Sequence, residues 1–196
     1  MEKPKSLVQT FELLEKNKLP LANFKVLETK NDLKKMNFPI YIKIDSQKHK
    51  SKLGGVKKCN TFHEALKTTN MLLKKFPNTL LILQEEIQGK EIFVGIKKDK
   101  VFGEVLVVGA GGTRVESKKD LSFRALPINK REASKMIREL KIYQELRKQN
   151  KQAIKELLKI ISKISKLAQA LQPKELDLNP VILTKNKANI VDARIF

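Results

Sequence analysis

The apolar positions of the first segment recur at helical spacing, whereas those of a later segment alternate with polar ones. Leu7, Phe11 and Leu14 lie three or four residues apart within residues 6–17, a spacing that predicts an amphipathic helix. Residues 39–45, PIYIKID, alternate apolar and polar side chains, which predicts a strand with one buried face. The two periodicities together indicate a chain that mixes helices and strands.

Capping and turn signals predict the remaining elements. Thr61 and Glu64 have the Ser/Thr-x-x-Glu form of a capping box, so a helix should begin there and run to about Phe76. Asn129 is a second capping candidate, and the chain from there to about Leu171 is expected to be helical. Further strands are predicted at residues 24–28, 54–60, 80–85, 91–97, 102–108, 114–116, 121–126, 176–183 and 190–196. Strands at hairpin-like spacing among helices indicate the α+β class.

Length and composition restrict the class of protein. The chain has 196 residues, enough for one domain or two small lobes, and 41% of them are hydrophobic, which is typical of a folded chain. The single cysteine, Cys59, excludes an internal disulfide framework and suits a reducing compartment. No apolar run approaches the roughly 20 residues that span a bilayer, and the first ten residues lack a signal-peptide core. We therefore expect a cytoplasmic protein with no membrane partner.

The charge is strongly basic. The chain carries 41 Lys and Arg against 21 Asp and Glu, a formal net charge of +20, which attracts phosphates of any kind. Base-stacking modules interleave aromatic residues with basic ones, but this chain has no Trp and only two Tyr, so a nucleic-acid partner is not favoured. Residues 147–166 hold seven basic residues and one acid along one helix face. A solvated face is the favoured interpretation, and docking of an acidic partner or a polyphosphate stays open.

Candidate phosphate-binding chemistry lies in the middle of the chain. Lys43 sits among the apolar residues of the 39–45 strand, a costly place for an ammonium group unless an anion meets it. Residues 49–52 form a basic loop that runs into Gly54 and Gly55, and residues 109–112 form a second glycine loop. Backbone N–H groups in such loops can face a phosphate. Neither a Walker-type loop nor Gly-x-Gly-x-x-Gly occurs.

Oxygen-bearing side chains cluster near the C-terminus. Glu175, Asp177 and Asn179 alternate within one predicted strand, and Asp192 lies in the next. Carboxylate and amide oxygens are the ligands that hard cations such as Mg²⁺ require. The sequence therefore indicates a candidate magnesium site.

Eight fragments occur together in an order that is typical of one family. They are PIYIKI, HKSKLGGV, LILQEE, GKEIFVGIKKD, FGEVLVVGAGG, VESKKDLSFRALPI, ELDLNPVIL and VDARI. From residue 39 onward the chain resembles the ATP-grasp (beta) subunit of ADP-forming acyl-CoA synthetases, which include acetate–CoA ligase and are related to succinyl-CoA synthetase beta. The resemblance implies an ATP-grasp fold of two α+β lobes with mixed or antiparallel sheets enclosing a nucleotide. The expected domains are an N-terminal helix at 1–20, a smaller lobe at 21–88 and a larger lobe at 89–196 with a long basic helical segment.

The resemblance also implies cofactors and the residues that bind them. ATP or ADP and Mg²⁺ would be bound, with Lys43 at the phosphates and Glu91 at the sugar or the phosphates. Residues 84–87 would form a hinge that reads the adenine largely through its backbone. Asn179 and Asp192 match the magnesium ligands of the succinyl-CoA synthetase relatives. The implied nucleotide-binding residues are Lys43, Lys50, Gly54, Gly55, Glu85, Glu86, Ile87, Glu91, Gly111 and Gly112.

His49 matches a histidine that the family uses as a phosphoryl carrier. It would take a phosphoryl group from a histidine of the partner subunit and pass it to ADP, which suits an imidazole that is neutral and nucleophilic near pH 7. Glu116 and Arg124 complete the implied catalytic set. The chain departs from the family at Lys52, which stands where the family has Asp, and this changes the electrostatics of the loop.

The expected function is that of a nucleotide-binding subunit that works with a CoA-binding alpha subunit in a hetero-oligomer. The reaction would convert acyl-CoA, ADP and phosphate into acid, CoA and ATP. Two alternatives stay open: another ATP-grasp carboxylate ligase, such as a succinyl-specific relative, and a diverged ATP-grasp scaffold that acts as a basic binding protein. Lys43, Glu91, Asn179 and Asp192 favour an enzyme, whereas Lys52 favours divergence.

Overall fold

The protein consists of two compact units. The structure, a computed structural model, describes residues 5–47, 50, 53–112, 120–149 and 151–196. The smaller unit contains Ser6–Val8 and Ala22–Ile87, and the larger contains Gln9–Leu21 and Gln88–Phe196. Each has its own antiparallel sheet and its own helices. The predicted α+β class is confirmed.

The smaller unit has a four-stranded antiparallel sheet. Its elements are β1 (Phe24–Val26), a 3-10 helix (Lys30–Lys35), β2 (Ile40–Ile44), β3 (Val56–Cys59), α2 (Phe62–Lys75) and β4 (Leu81–Glu85). The strand order is β1-β4-β2-β3. The alternation predicted for residues 39–45 is observed, because Ile40, Ile42 and Ile44 are buried in one apolar cluster with residues of α2. One face of this sheet therefore forms the core.

The predicted capping box opens α2. The Thr61 hydroxyl accepts a hydrogen bond from the backbone N–H of Glu64 at 3.2 Å. The Glu64 carboxylate in turn accepts one from the backbone N–H of Asn60 at 2.8 Å. These bonds satisfy N–H groups that have no partner within the first turn of a helix.

The 3-10 helix was not predicted. It depends on Asp32, whose carboxylate accepts hydrogen bonds from Lys25 Nζ at 2.5 Å and from the backbone N–H groups of Thr29 and Glu28 at 2.9 and 3.1 Å. These donors, Lys25 first, hold the pKa of Asp32 far below its usual range. Asp32 thus organises the turn through contacts that no periodicity reveals.

The larger unit has a six-stranded antiparallel sheet with helices on one face. Its strands are β5 (Lys90–Asp99), β6 (Gly103–Ala110), β7 (Leu121–Ala125), β8 (Glu175–Leu183), β9 (Ala188–Ile190) and β10 (Ala193–Ile195). The order is β10-β8-β5-β6-β7, with β9 also paired to β8. The helices are α3 (Lys130–Glu139), α4 (Tyr143–Gln149) and α5 (Lys151–Leu171). Helix α1 (Leu7–Lys16) buries Leu7, Phe11 and Leu14, as their spacing predicted.

Register determines which face of the larger sheet is covered. Val94 pairs with Val108 and with Leu178, so the three side chains point to the same face, and all three are fully buried. Helix α3 contacts β6 and β7, and α5 contacts β8 and β9. The opposite face carries Glu91 and Asp177, whose strands place them on the alternate positions.

The region after Asn129 is helical, as predicted, but its described residues are divided among α3, α4 and α5. Asn129 does cap α3, its side chain accepting from the N–H of Glu132 at 2.9 Å. However, α3 ends at Glu139 and α4 begins at Tyr143. The Asp120 carboxylate accepts hydrogen bonds from the N–H groups of Lys141 and Ile142, at 2.7 and 3.1 Å. An acid more than twenty residues away thus holds the two residues that directly precede α4, which local sequence could not reveal.

Helix α5 is long, but one of its faces is basic. It has 21 residues, of which Leu157, Ile160 and Ile161 are fully buried. Lys151 and Lys155 are exposed on the other side. Within the described residues, no helix combines the length and the apolar character needed to cross a membrane.

We expect Leu157→Ala to destabilise the protein by about 2–5 kcal/mol, because it removes a fully buried side chain and leaves a cavity under α5. Chemical denaturation followed by circular dichroism measures the change. Lys155→Ala on the exposed face of the same helix is the matched control and should change stability by less than about 0.5 kcal/mol. Equal effects of the two substitutions would contradict the assigned packing of α5.

Candidate functional site

In the smaller unit, polar side chains occupy the sheet face opposite the apolar core. Tyr41 pairs with Gln84 on β4 and with Lys58 on β3, while Lys43 pairs with Ile82. Directly opposed residues of antiparallel strands point to the same side. Tyr41, Lys43, Lys58 and Gln84 therefore share the face that does not carry Ile40 and Ile42.

Lys43 is buried, as its apolar surroundings predicted. Its side chain is only 6% exposed, and its Nζ donates a hydrogen bond to Gln84 Oε1 at 2.5 Å. Gln84 itself is 2% exposed. Burying an ammonium group is costly unless an anion or further donors and acceptors compensate it, so the position of Lys43 on this face suits an anionic ligand.

The side chains of Glu85 and Glu86 are engaged within the smaller unit. Glu85 accepts hydrogen bonds from the backbone and the side-chain amide of Asn37, both at 3.0 Å. Glu86 accepts from Lys58 Nζ at 2.7 Å and from the Tyr41 hydroxyl at 3.3 Å. The hydrogen bond to Glu86 raises the pKa of Lys58. Side chains committed in this way are compatible with the backbone role expected for the hinge; Ile87, its last residue, is half-buried.

The first glycine loop closes tightly on β2. Gly55 donates its N–H to the Lys50 carbonyl at 2.8 Å, and its own carbonyl accepts from Ile44 at 2.9 Å. A Cβ at Gly55 would lie 2.4 Å from the Ile44 side chain, so a larger residue cannot fit. Gly54 has a φ of +69°. Lys50 is 3% exposed, and the neighbouring His49 and Lys52 lie outside the described residues.

In the larger unit, Glu91 meets the second glycine loop. The Gly111 N–H donates to the Glu91 carbonyl at 2.7 Å. A Cβ at Gly111 would lie 2.7 Å from the Glu91 Cβ, and one at Gly112 would lie 3.2 Å from Glu91 Oε2. Gly112 also has a φ of +88°. The structure therefore brings Glu91, Gly111 and Gly112 together, and the close approach requires both glycines.

A bulge in β8 sets the position of Asn179. Ile92 pairs with Val181 whereas Val94 pairs with Leu178, so β8 has one more residue than β5 in this interval. The extra residue falls at Asn179 or Pro180, and a bulge of this kind changes the direction of a side chain. Pro180, which has no N–H to give to a sheet, marks the place.

The candidate magnesium ligands lie at this bulge of β8 and between β9 and β10. The Asn179 N–H donates to the Asp192 carbonyl at 3.1 Å, so the two backbones are adjacent. Asp192 Oδ1 accepts from the N–H of Ala193 at 2.9 Å. An amide and a carboxylate oxygen form a hard donor pair that fits Mg²⁺, which usually takes one or two protein ligands together with phosphate oxygens and water. Among the described residues, no group of three or more His, Cys, Asp and Glu could hold a metal alone.

Asp177 has a partner that sequence reasoning missed. Its carboxylate binds the Arg194 guanidinium at 3.0 Å across the β8–β10 pair. Burial, and then the neighbouring Glu175 carboxylate, raise the pKa of Asp177 to about 6, although Arg194 opposes this. The pairing follows from the register of the two strands, which the sequence does not specify. Asp177 was singled out as an oxygen ligand, but this ion pair holds it in place.

Arg124 lies on the helix-covered face of the larger sheet. Its guanidinium forms ion pairs with Glu132 at 3.2 Å and with Glu139, both on α3. Ser122 donates to the same Glu139 carboxylate at 2.6 Å. Because Glu91 is on the other face, the structure does not bring Arg124 and Glu91 together. These contacts tie β7 to α3; a catalytic role for Arg124 stays a prediction, as do the roles of His49 and Glu116, which lie outside the described residues.

The fold and these residues define the class of protein. A family model described as the ATP-grasp domain matches residues 5–196, and the chain belongs to that family. This confirms the predicted ATP-grasp fold.

Its relatives are the enzymes that the sequence fragments resembled. The chain is 34% identical over 203 residues to the beta subunit of acetate–CoA ligase [ADP-forming] I of Pyrococcus furiosus, covering 94% of this chain and 88% of that one. It is 35% identical to the 4-hydroxybutyrate–CoA ligase [ADP-forming] of Nitrosopumilus maritimus, but spans only 26% of that longer protein. The resemblance stated from the sequence is thus confirmed.

Solved structures give the same answer. The dinucleotide-forming acetyl-coenzyme A synthetase 1 of Ca. Korarchaeum cryptofilum, in complex with coenzyme A and Mg-AMPPCP, aligns with a TM-score of 0.81 and 29% identity, over 98% of this chain and 92% of that chain. In that structure a phosphohistidine segment points towards the nucleotide binding site. The same protein with Ca-AMPCP aligns with a TM-score of 0.85 and 26% identity, over 100% and 93%.

We expect Gly111→Ala to separate Glu91 from the second glycine loop, because the new Cβ would overlap backbone atoms of Glu91. Overpacking of this kind costs about 1–3 kcal/mol. Hydrogen exchange should become faster at the Ala110 end of β6. Gly103→Ala is the matched control: a Cβ there meets nothing within 4 Å although φ is +71°, so exchange should change only at the hairpin end. Unchanged protection in Gly111→Ala would contradict the close approach.

Proposed function

We propose that this chain is the nucleotide- and magnesium-binding subunit of an ADP-forming acyl-CoA synthetase. The observation that carries the proposal is its match, over nearly the whole of both chains, to a protein that is itself a beta subunit of such a ligase. The described geometry supports it: a buried ammonium at Lys43, two glycine loops and an oxygen pair at Asn179 and Asp192. Groups of these kinds are needed to position a nucleotide's phosphates and to neutralise their charge.

The remaining chemistry must come from other protein. The chain spans only about a quarter of single-chain relatives such as the 4-hydroxybutyrate ligase, so those proteins carry much more than an ATP-grasp domain. We propose a CoA-binding alpha subunit as the partner, in a hetero-oligomer. The reaction of the complex would be acyl-CoA + ADP + phosphate ⇌ acid + CoA + ATP.

Each part of the chain would have a defined task. Lys43, Lys50 and the N–H group of Gly54 would bind phosphate oxygens, and Gly55 would let the loop close tightly beside them. Glu91, beside Gly111 and Gly112, would orient the sugar or the phosphates. Magnesium held by Asn179 and Asp192 would neutralise charge that develops on the transferring phosphoryl group.

His49 would carry the phosphoryl group between the two subunits. A neutral imidazole nitrogen attacks the phosphorus, a new N–P bond forms, and the bond to the partner's histidine breaks. The β-phosphate oxygen of ADP then attacks the same phosphorus, the N–P bond breaks and ATP forms. Lys50, which directly follows His49, would offset the negative charge of the group in transit.

The acyl substrate stays open, and so does the choice between ADP and GDP. Acetate, succinate and 4-hydroxybutyrate, with each nucleotide, form a panel that separates the acetate-type enzyme from the other carboxylate ligases.

Asp192→Asn should weaken binding of Mg-ADP by tenfold or more, because a charged ligand of the metal is lost, an interaction worth about 1.5–3 kcal/mol. Binding of ADP without magnesium should change little. Isothermal titration calorimetry with and without Mg²⁺ measures both. Glu156→Gln on α5, where Glu156 pairs only with residues of its own helix in the contacts described, is the control for loss of one negative charge. Equal affinities of Asp192→Asn and wild type for Mg-ADP would refute the metal assignment.

His49→Asn should abolish ATP formation while ADP affinity stays within about twofold, because asparagine cannot accept and release a phosphoryl group. The assay is acetyl-CoA-dependent ATP formation by the chain co-expressed with its candidate alpha subunit. His63→Asn, in the first turn of α2, is the matched control and should keep wild-type turnover. Turnover by His49→Asn would exclude the carrier role, and absence of turnover in the wild-type complex would exclude the proposed reaction.

A further inference from the structure

Gln84 has a buried donor that nothing in the described protein satisfies. Its side chain is 2% exposed, and its Nε2 finds no hydrogen-bond partner among the described residues. Most buried polar groups in native proteins are paired, because an unmade hydrogen bond leaves the full cost of removing the group from water. An orphaned amide donor on the polar face of the smaller sheet therefore indicates a ligand.

Lys43 fixes the direction in which this donor points. An ammonium group has three donors and no acceptor, so the atom of Gln84 that lies 2.5 Å from Lys43 Nζ must be the amide oxygen. The opposite assignment of the amide would place two donors against each other. The NH₂ group of Gln84 is therefore directed away from Lys43, and it needs an acceptor of its own.

The neighbours on this sheet face do not supply that acceptor. Gln84 is paired with Tyr41 on one side and with Phe24 on the other. Of the two carboxylates that follow it in the chain, Glu85 accepts from Asn37, and Glu86 accepts from Lys58 and Tyr41. The Lys43 ammonium, a second donor, lies next to the Gln84 amide, with its Nζ 2.5 Å from Gln84 Oε1. Two adjacent donors of this kind, one of them charged, match an anionic oxygen better than a neutral acceptor.

We propose that Gln84 is a nucleotide-positioning residue: its amide oxygen holds Lys43 in place, and its Nε2 donates to a phosphate oxygen of the bound nucleotide. The inference rests on the proposed function and adds to it a side-chain contact, whereas the sequence resemblance gave this position a backbone role in the hinge. In this arrangement the unpaired donor destabilises the free protein and becomes satisfied only when the nucleotide binds. Stability without nucleotide and affinity for it should therefore change in opposite directions when the donor is removed.

Gln84→Glu tests this directly. The carboxylate is nearly isosteric, keeps an acceptor for Lys43 and strengthens that contact by adding a charge, but it has no donor. We expect the midpoint of thermal unfolding without nucleotide to rise and the affinity for ADP to fall tenfold or more. A residue with a merely structural role would lower both, and that result would overturn the proposal.

Gln84→Met separates the donor from the added charge. Methionine is neutral and fills a similar volume, but it lacks both the donor and the acceptor. The only deficit it has in common with Gln84→Glu is the missing Nε2 donor, so both variants should weaken ADP binding. If Gln84→Met binds ADP as tightly as wild type, the effect of glutamate is charge repulsion and the proposed hydrogen bond does not exist. Gln144→Glu, at an exposed position of α4, is the control for a change of one charge and should leave affinity unchanged.

The acceptor atom is identified with 7-deaza-ADP, which lacks the ring nitrogen N7 and keeps both phosphates. If the acceptor is a phosphate oxygen, Gln84→Glu should weaken the binding of 7-deaza-ADP and of ADP by the same factor. The substitution in the protein and the loss of N7 from the ligand then act independently. If the effect of Gln84→Glu disappears with 7-deaza-ADP, the acceptor is N7 and the phosphate assignment is wrong. Wild-type protein that binds no nucleotide would instead refute the proposed function itself. Calorimetric titration gives each affinity.

Discussion

Helices cover one face of each antiparallel sheet, and this coverage decides which strand positions have to be apolar. In both units the helices pack on a single face of the sheet. Every second residue of a strand must therefore be apolar, and the residues between can be polar. In β2 this alternation buries Ile40 and Ile42 while it places Tyr41 and Lys43 on the opposite face. In the larger unit it buries Val94 and leaves Glu91 on the other side. Polar and charged side chains can therefore occupy the second face of each sheet without disturbing the packing of the core.

Glycines add close approaches that this alternation alone would not allow. Gly55 lies where a Cβ would overlap Ile44, and Gly111 where it would overlap Glu91. Both positions are at the ends of strands, where the backbone stops pairing and its N–H groups turn to other partners. The loops that resemble phosphate-binding segments are thus also the places where the packing tolerates no side chain, so packing and any role in binding would favour glycine for the same positions.

The sequence predicted the parts of the fold that depend on local pattern. Strand β2 followed from alternation, and α2 followed from the capping box at Thr61. It could not predict features that depend on contacts between distant residues. Asp120 holds the connection between α3 and α4 from outside both helices. Asp32 organises a 3-10 helix through Lys25 and two backbone N–H groups. Pro180 lies within the predicted 176–183 strand, and a proline at such a position is a sequence signal for a bulge.

The same distinction applies to the candidate site. The resemblance implied that Lys43, Glu91, Asn179 and Asp192 belong to one nucleotide site, and the apolar surroundings of Lys43 had singled it out independently. Sequence could not reveal the hydrogen bond between Lys43 and Gln84 or the ion pair between Asp177 and Arg194, because both cross strands whose register only the structure gives.

The net charge of +20 attracts anions over longer distances than these hydrogen bonds and ion pairs act. Long-range attraction depends on the sum of the charges and is screened by salt over about 10 Å at 0.1 M, so it brings any anion towards the surface, whether nucleotide, polyphosphate or acidic protein. Discrimination between different anions needs hydrogen-bond donors that are fixed in direction and removed from water. The exposed lysines of α5 contribute little to such discrimination. The buried pair of Lys43 and Gln84 meets both conditions. The basic surface therefore suits attraction, and in the role proposed for Gln84 the buried pair would select the anion that is retained.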